Sequence, residues 1–246
     1  MVNTKEPPKK STTLTVSQEQ YNFYFDRFEK GKDLEVISFE QKTTFEVAAQ
    51  FGNRQLSGYD LLYSNTSKKN SYRNEFFWMN EKPRNGLCLM STKCVPNSMQ
   101  KNFLEQTFVL AEYAEKVLPE LKKTKFWKMA LRSLKNIEKE VELFFEKKEY
   151  ASVVKLFQRL QINQFFRPNF VEIFNQAVSH NRINGGRLYE NEYTWTNTIS
   201  HSKEWLLYAG CFDSYGLEVC NDYPNVSEAN RGVSFICRLD WLKTLV

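Results

Sequence analysis

The pattern of apolar and polar positions divides the chain into a helical part and a strand-rich part. From about Asn102 to Leu160, apolar residues recur every three or four positions, which is typical of amphipathic helices. From Tyr193 to Leu239, short apolar and aromatic runs alternate with Gly, Asp, Ser, Asn and Pro, which is typical of strands and hairpins. The period changes near Asn184. We therefore predict helices before that residue and consecutive strands after it.

Shorter elements are predicted in the first hundred residues and just before the change of period. A capping box at Ser17 and Gln20, followed by aromatic residues at helical spacing, predicts a helix that ends at Gly31. The sequence Arg167-Pro168-Asn169 is expected to open a helix that continues to His180, and Asn184-Gly185-Gly186 is expected to end the helical section. The other predictions are a strand at 34–39, a helix at 45–51, and strands or extended segments at 75–80 and 86–91.

These elements predict an α+β fold, in which a helical N-terminal and central region packs on a C-terminal module of short antiparallel strands. Residues 1–16 are expected to form a disordered tail, because they contain few apolar groups. Residues 17–165 form the mainly helical region and residues 166–246 form the strand-rich module. We expect both to pack as one globular unit.

Composition limits the classes of function. Of 246 residues, 41% are hydrophobic and 15% are aromatic, which indicates a globular protein. No apolar run is long enough to span a membrane, and the first residues do not resemble a signal peptide, so a cytoplasmic protein without membrane contact is expected. The absence of a CxxC motif and the odd number of dispersed cysteines indicate reduced thiols, at Cys88, Cys94, Cys211, Cys220 and Cys237.

Sequence motifs for catalysis, metal binding or cofactor binding are missing. The chain contains no HExxH, GxSxG, Walker or GxGxxG pattern, and its two histidines, His180 and His201, are too few for a usual metal site. We therefore predict no enzyme activity and no cofactor. The polar segments near residues 212–216 and 221–230 combine tyrosines with small polar residues, as antibody paratopes do, although ordinary hairpin loops have a similar composition.

Four short runs carry a resemblance to a known family: FRPNFVEIFNQAV, YTWTNT, LLYAGCFDSYGLEV and RGVSFICRL. They resemble the C-terminal module of C-type-lectin-fold proteins of the formylglycine-generating-enzyme-like type, and in particular the variable (target) proteins of diversity-generating retroelements. The similarity covers about residues 165–240. The matching residues are Arg167, Pro168, Glu172, Trp195, Thr196, Thr198, Gly210, Phe212, Gly216, Val219, Gly232, Val233 and Arg238.

The resemblance implies a C-type-lectin-like scaffold that displays variable side chains to a ligand, which we expect to be a protein. It implies ligand contact at positions that carry residue types typical of such diversification. These positions are His201, Tyr208, Cys211, Ser214, Tyr215, Cys220, Asn221, Tyr223, Asn225, Ser227 and Asn230. The enzyme branch of the family has two active-site cysteines a few residues apart, whereas the C-terminal cysteines here are widely separated.

Three hypotheses of function follow. The first is ligand binding without catalysis: the loops at 199–205, 213–215 and 221–230 should cluster on one face, and Tyr215→Ala and Tyr223→Ala should weaken binding without unfolding the protein. Framework residues should be buried, namely Trp195, Leu206, Leu207, Phe212, Leu217, Val219, Val233 and Phe235.

The alternative is a nucleic-acid-associated protein that uses basic helices between residues 116 and 159, with a contiguous basic stripe. The third is an enzyme with a reactive thiol at Cys211 or Cys237.

Overall fold

The computed structural model describes residues 33–51, 62–64, 76–200, 202–213 and 216–241. The predicted tail at 1–16, the helix at 17–31, and the candidate contact residues His201, Ser214 and Tyr215 lie outside these ranges. Among the residues that are described, no helix combines the length and the apolar composition needed to cross a bilayer.

The helices concentrate in the middle of the described chain and most strands lie near its end. The helices are α1 (Thr44–Phe51), α2 (Phe76–Met79), α3 (Phe103–Val117), a 3₁₀ helix (Pro119–Lys123), α4 (Lys125–Glu146), α5 (Tyr150–Arg159), α6 (Gln161–Phe166) and α7 (Phe170–Asn184). The strands are β1 (Leu34–Ser38), β2 (Leu62–Ser64), β3 (Leu87–Ser91), β4 (Tyr193–Ile199), β5 (Leu206–Asp213), β6 (Gly216–Asp222), β7 (Arg231–Val233) and β8 (Ile236–Arg238). The predicted α+β class is confirmed.

The strands form two sheets. The first has the order β1-β3-β8 and is antiparallel, so β3, from the first hundred residues, pairs with both β1 and the last strand. The second has the order β2-β6-β5-β4-β7; its three central strands are antiparallel, and the two edge strands pair in parallel with their neighbours. Pairing of β8 with β3 means that the strand-rich end of the chain is completed by residues far from it in sequence.

Helix α7 occupies the centre of the molecule because its first nine residues, from Phe170 to Val178, are all buried. It packs against one side of the second sheet, where it shares a core with Leu207 and Ala209. The other side of that sheet contributes Trp195 and Leu206 to a second core, formed with helices α3 to α6. All eight predicted framework residues are buried, which confirms that part of the prediction.

One predicted element has the wrong type. The run at 75–80 was expected to be extended, but Phe76–Met79 is the short helix α2, whereas the strand predicted at 86–91 is confirmed as β3. Aromatic residues favour strands on average, yet tertiary packing overrides that preference here. The adjacent side chains of Phe77 and Trp78 are both buried, and the Phe77 ring lies 4.9 Å from that of Phe170 in α7.

Candidate functional site

One side of the second sheet carries a group of polar and aromatic side chains. The registers pair Trp195 with Tyr208 and Tyr208 with Cys220, so these residues share one side of the sheet. Leu207 and Ala209 point the other way, into the core beneath α7. We call one part of the first side the tyrosine face; it consists of Tyr193, Tyr208, Cys211, Glu218 and Cys220, of which Glu218 and Cys220 are buried. Tyr193, Tyr208 and Cys211 are half-buried, so part of each side chain is accessible to a ligand.

The side chains of Arg231 and Trp195 pack against the Tyr208 ring and hold it in place. The guanidinium carbon of Arg231 lies 3.7 Å from the centre of the Tyr208 ring, and the Trp195 ring lies 5.3 Å from it. Arg231 is only 1% exposed and forms ion pairs with Asp222 at 3.2 Å and Glu228 at 2.9 Å. Because stacking and two ion pairs fix the guanidinium, the Tyr208 ring has little freedom to move.

A hydrogen-bond chain joins three other residues of the tyrosine face. The Tyr193 hydroxyl donates to Glu218 Oε2, and the Cys220 thiol donates to Glu218 Oε1 at 3.3 Å. Burial, together with hydrogen bonds to Cys211 and Glu218, raises the pKa of the Tyr193 hydroxyl. The phenol therefore stays protonated at neutral pH and remains a hydrogen-bond donor.

A second group of aromatic rings borders the face, and we call it the aromatic rim: Tyr150, Trp205 and Tyr223. The Tyr223 ring lies 4.2 Å from the ring of Tyr150 and 5.8 Å from that of Trp205. Tyr150 begins helix α5, so the helical region contributes directly to the border of the sheet surface. The rim places large apolar groups beside polar ones, as protein-binding surfaces often do.

The prediction that the three loops cluster on one face is wrong. Leu206 pairs with Asp222, so the connections at 200–205 and 223–230 leave the same end of strands β5 and β6. Asp213 pairs with Gly216 at the opposite end of those strands, about 20 Å away for a strand of this length. A hairpin necessarily places its turn opposite the ends of its two strands, and this topology separates the loops.

The other described contact candidates do not lie on the tyrosine face. Asn221 pairs with Leu207, so it faces the other side of the sheet, and its amide donates to Ser200 Oγ at 3.4 Å. Three candidates are exposed along the connection after β6, namely Asn225, Ser227 and Asn230. Asn230 also lines a separate groove of about 610 Å³. The structure thus brings together Tyr208, Cys211 and Cys220, with Tyr223 in the adjacent rim.

Several residues that carried the family resemblance have structural roles. Gly210 lies where a Cβ atom would come within 2.0 Å of the Glu192 carbonyl oxygen, so no larger residue fits without moving β4. Glu172 completes a capping box with Asn169 at the start of α7 and also contacts Arg84 Nε at 3.3 Å. These contacts fix the strands and helix that support the tyrosine face.

Arg167 and Thr198, from the same motifs, are also buried. The Arg167 guanidinium lies 3.6 Å from the centre of the Phe103 ring and donates to the Phe103 carbonyl oxygen. Thr198 Oγ1 accepts a hydrogen bond from the Phe170 backbone and donates to Glu81 Oε2 at 3.0 Å. Arg167 therefore connects α3 to the segment between α6 and α7, and Thr198 connects β4 to α7. Neither residue is accessible to a ligand.

The surroundings of the two cysteines in the enzyme hypothesis disfavour the thiolate form. Burial raises the pKa of the Cys211 and Cys237 thiols, the two residues named in the enzyme hypothesis. A cysteine nucleophile needs a lowered pKa instead. No group of three or more potential metal ligands exists among the residues that the structure describes.

Sequence reasoning missed important residues of the site. Tyr193 and Glu218 could have been found from strand alternation, because they share a side with Tyr208. Arg231 and Tyr150 carry no such signal, since their positions depend on the packing of β7 and α5.

Comparison with known proteins finds no matching family model, no matching curated protein and no matching solved structure.

Proposed function

We propose that the protein binds a protein ligand through the tyrosine face and the aromatic rim, without catalysing a reaction. The observation that carries this proposal is the grouping of Tyr193 and Tyr208 on one side of neighbouring strands, with Cys211 hydrogen-bonded to Tyr193 and part of each of the three side chains accessible. Tyrosine provides a large contact area and loses little conformational entropy on binding.

The support beneath these side chains favours recognition. Arg231 and Trp195 hold the Tyr208 ring, so less conformational freedom is lost when a ligand binds. Tyr150 and Trp205 support the Tyr223 ring in the same way. A rigid aromatic surface with hydrogen-bonding groups is typical of binding hot spots.

The family resemblance supports the same proposal. Tyr208, Cys211 and Cys220 are among the positions expected to vary, and they lie together on the tyrosine face, whereas framework positions such as Trp195 and Val233 are buried. We therefore propose a variable protein of the diversity-generating-retroelement type with a C-type-lectin-like scaffold. A cytoplasmic location, suited to five free thiols, is part of the proposal.

The test uses a display library of protein fragments from the source genome, selected on the immobilised full-length protein. Affinities of the selected fragments are then measured by biolayer interferometry for the wild type, Tyr208→Ala and Tyr223→Ala. The matched control is Phe76→Ala, which removes an aromatic ring that is 74% exposed on α2. Thermal unfolding of each variant shows whether it remains folded at the assay temperature.

We expect both tyrosine variants to bind at least about tenfold more weakly, since truncation of a hot-spot tyrosine costs about 2 kcal/mol or more. The control should bind as the wild type does. Fragments that bind all four proteins equally would place the ligand surface elsewhere. Selection of no fragment above background would contradict protein recognition itself.

A further inference from the structure

Helix α4 carries a row of basic side chains along one face. Lysines and an arginine recur at alternating spacings of three and four residues, which places them above one another on the helix surface. At 1.5 Å per residue, the row is about 21 Å long. We call it the basic stripe; its members are Lys125, Lys128, Arg132, Lys135 and Lys139, and all five are exposed.

The stripe faces solvent because the opposite face of α4 is committed to the core. The buried residues of the helix are Trp127, Ala130, Leu134 and Val141. Trp127 packs with its ring 5.4 Å from that of Phe166, so the helix cannot rotate about its axis without losing this core contact. The basic groups are therefore held outward on a fixed support.

Within the described part of the chain, no carboxylate forms an ion pair within 4.0 Å with any of the five charges of the basic stripe. Lys122, just before α4, shows the contrast, because it contacts Glu115 at 3.4 Å. The stripe thus leaves its charges available to an external anion.

The order of charges along α4 opposes the helix dipole. The first turn contains Lys125 and Lys128 and no acidic residue, whereas the last turn contains Glu146 and no basic residue. A helix is stabilised by acidic groups at its start and basic groups at its end, by about 0.3–1 kcal/mol each. This arrangement reduces the stability of the helix, so helix stability does not explain it.

We propose that the basic stripe binds the phosphate backbone of a nucleic acid, without reading its sequence, at a surface separate from the tyrosine face. One strand of a duplex carries a phosphate about every 3.4 Å along the axis, so the stripe can follow about six phosphates. The stripe contains no aromatic side chain to stack on bases. Contact with the backbone alone is consistent with that composition.

A membrane surface fits the same helix less well. Helices that lie in a bilayer interface insert an apolar face, and the apolar face of α4 is buried in the protein core. The large exposed apolar residues of this helix are Met129 and Leu143, which offer little area for insertion. The repeated lysines and arginine match a regular polyanion instead.

The proposal predicts the salt dependence of binding. Five phosphate contacts give a slope of about −4.5 for duplex DNA and about −3.5 for a single strand in a plot of log affinity against log salt concentration. Between 50 and 200 mM salt, affinity should then fall about 500-fold for a duplex and about 100-fold for a single strand. At physiological salt the dissociation constant should be about 1–100 μM.

The experiment measures fluorescence anisotropy of labelled 20-nucleotide single-stranded and duplex DNA with the full-length protein at several salt concentrations. The test variant is Lys128→Gln/Arg132→Gln/Lys135→Gln, which removes three charges from the stripe. The matched control, Lys93→Gln/Arg187→Gln/Lys203→Gln, removes three exposed charges from loops outside α4. Glutamine is a good helix former, so α4 should stay folded, and circular dichroism checks this.

We expect wild type and control to bind DNA, and the stripe variant to bind at least about 30-fold more weakly at 50 mM salt with a slope reduced by about 2 to 3. An equal loss in both variants would show that net charge alone drives binding, and would overturn the assignment. No DNA binding at 50 mM salt would overturn it as well. So would stripe-dependent binding to phosphatidylserine vesicles in the absence of DNA binding.

Discussion

Replacing Glu81 by glutamine should remove a pH dependence of stability. The Glu81 carboxylate accepts a hydrogen bond from Thr198, whose hydroxyl also accepts one from the start of α7. Burial raises the pKa of Glu81 from 4.5 to about 7, and the nearby carboxylate of Glu172 adds to the effect against the opposing influence of Arg84. The folded protein therefore holds a proton that the unfolded chain releases at lower pH.

The sign follows from this difference in proton binding. Between pH 4.5 and about 7 the folded state binds more protons than the unfolded state, so the free energy of unfolding falls as the pH rises. The rise in the pKa from 4.5 to about 7 corresponds to at most about 3–4 kcal/mol. Because Glu81 keeps part of its surface in water, we expect about 1–2 kcal/mol.

Urea denaturation at pH 5, 6, 7 and 8 provides the measurement, with wild type and Glu81→Gln compared at each pH. The wild type should lose about 1–2 kcal/mol relative to the variant between pH 5 and 8, and taking the difference cancels the contributions of groups common to both proteins. Glu190→Gln, which changes an exposed carboxylate, serves as the control and should retain the wild-type slope. A Glu81→Gln variant that kept the full wild-type pH dependence would refute the reasoning.

Three other predictions follow from the site and its support. Arg231→Met should lower the free energy of unfolding by about 2–4 kcal/mol, since it leaves Asp222 and Glu228 without their buried partner; a loss below about 0.5 kcal/mol in urea denaturation would contradict this. Gly210→Ala should lower the free energy of unfolding by more than about 3 kcal/mol, because the new Cβ would overlap the backbone of β4. The control Gly185→Ala places a Cβ with no atom within 4 Å, so it should lower the free energy of unfolding by only about 1–2 kcal/mol, through the positive φ at that position. Cys211 should react slowly with iodoacetamide at pH 7.5, since burial raises its pKa, and rapid labelling identified by peptide mass spectrometry would instead favour the enzyme hypothesis.

The sequence predicted the elements better than it predicted their spatial neighbours. The helical period across α3 to α6 and the turn residues between β4 and β6 are local signals, and both regions have the predicted type. The run at 75–80 was misjudged because a short aromatic segment fits a strand or one helical turn equally well. Packing of Phe77 against Phe170 decides between them.

The candidate site was predicted only in part. Tyr208, Cys211 and Cys220 were identified from residue type and family resemblance. The strand register places Tyr208 and Cys220 on one face, and Cys211 joins them through its hydrogen bond with Tyr193. The prediction that the loops cluster was wrong, because composition does not reveal at which end of a strand a connecting loop lies. Arg231 was missed because an arginine in sequence carries no sign that it will be buried beneath a tyrosine.

The sequence by itself determined the α+β class, most of the helices and strands after residue 86, and the framework residues that fill the core. These features depend on the periodicity of apolar residues, which is a property of neighbouring positions. Only the tertiary structure decided that β3 pairs with both β1 and β8, that Tyr150 borders the face formed by β4 to β6, and that Arg231 supports Tyr208. These contacts join residues more than twenty positions apart, and their energies depend on which surfaces the whole chain buries together.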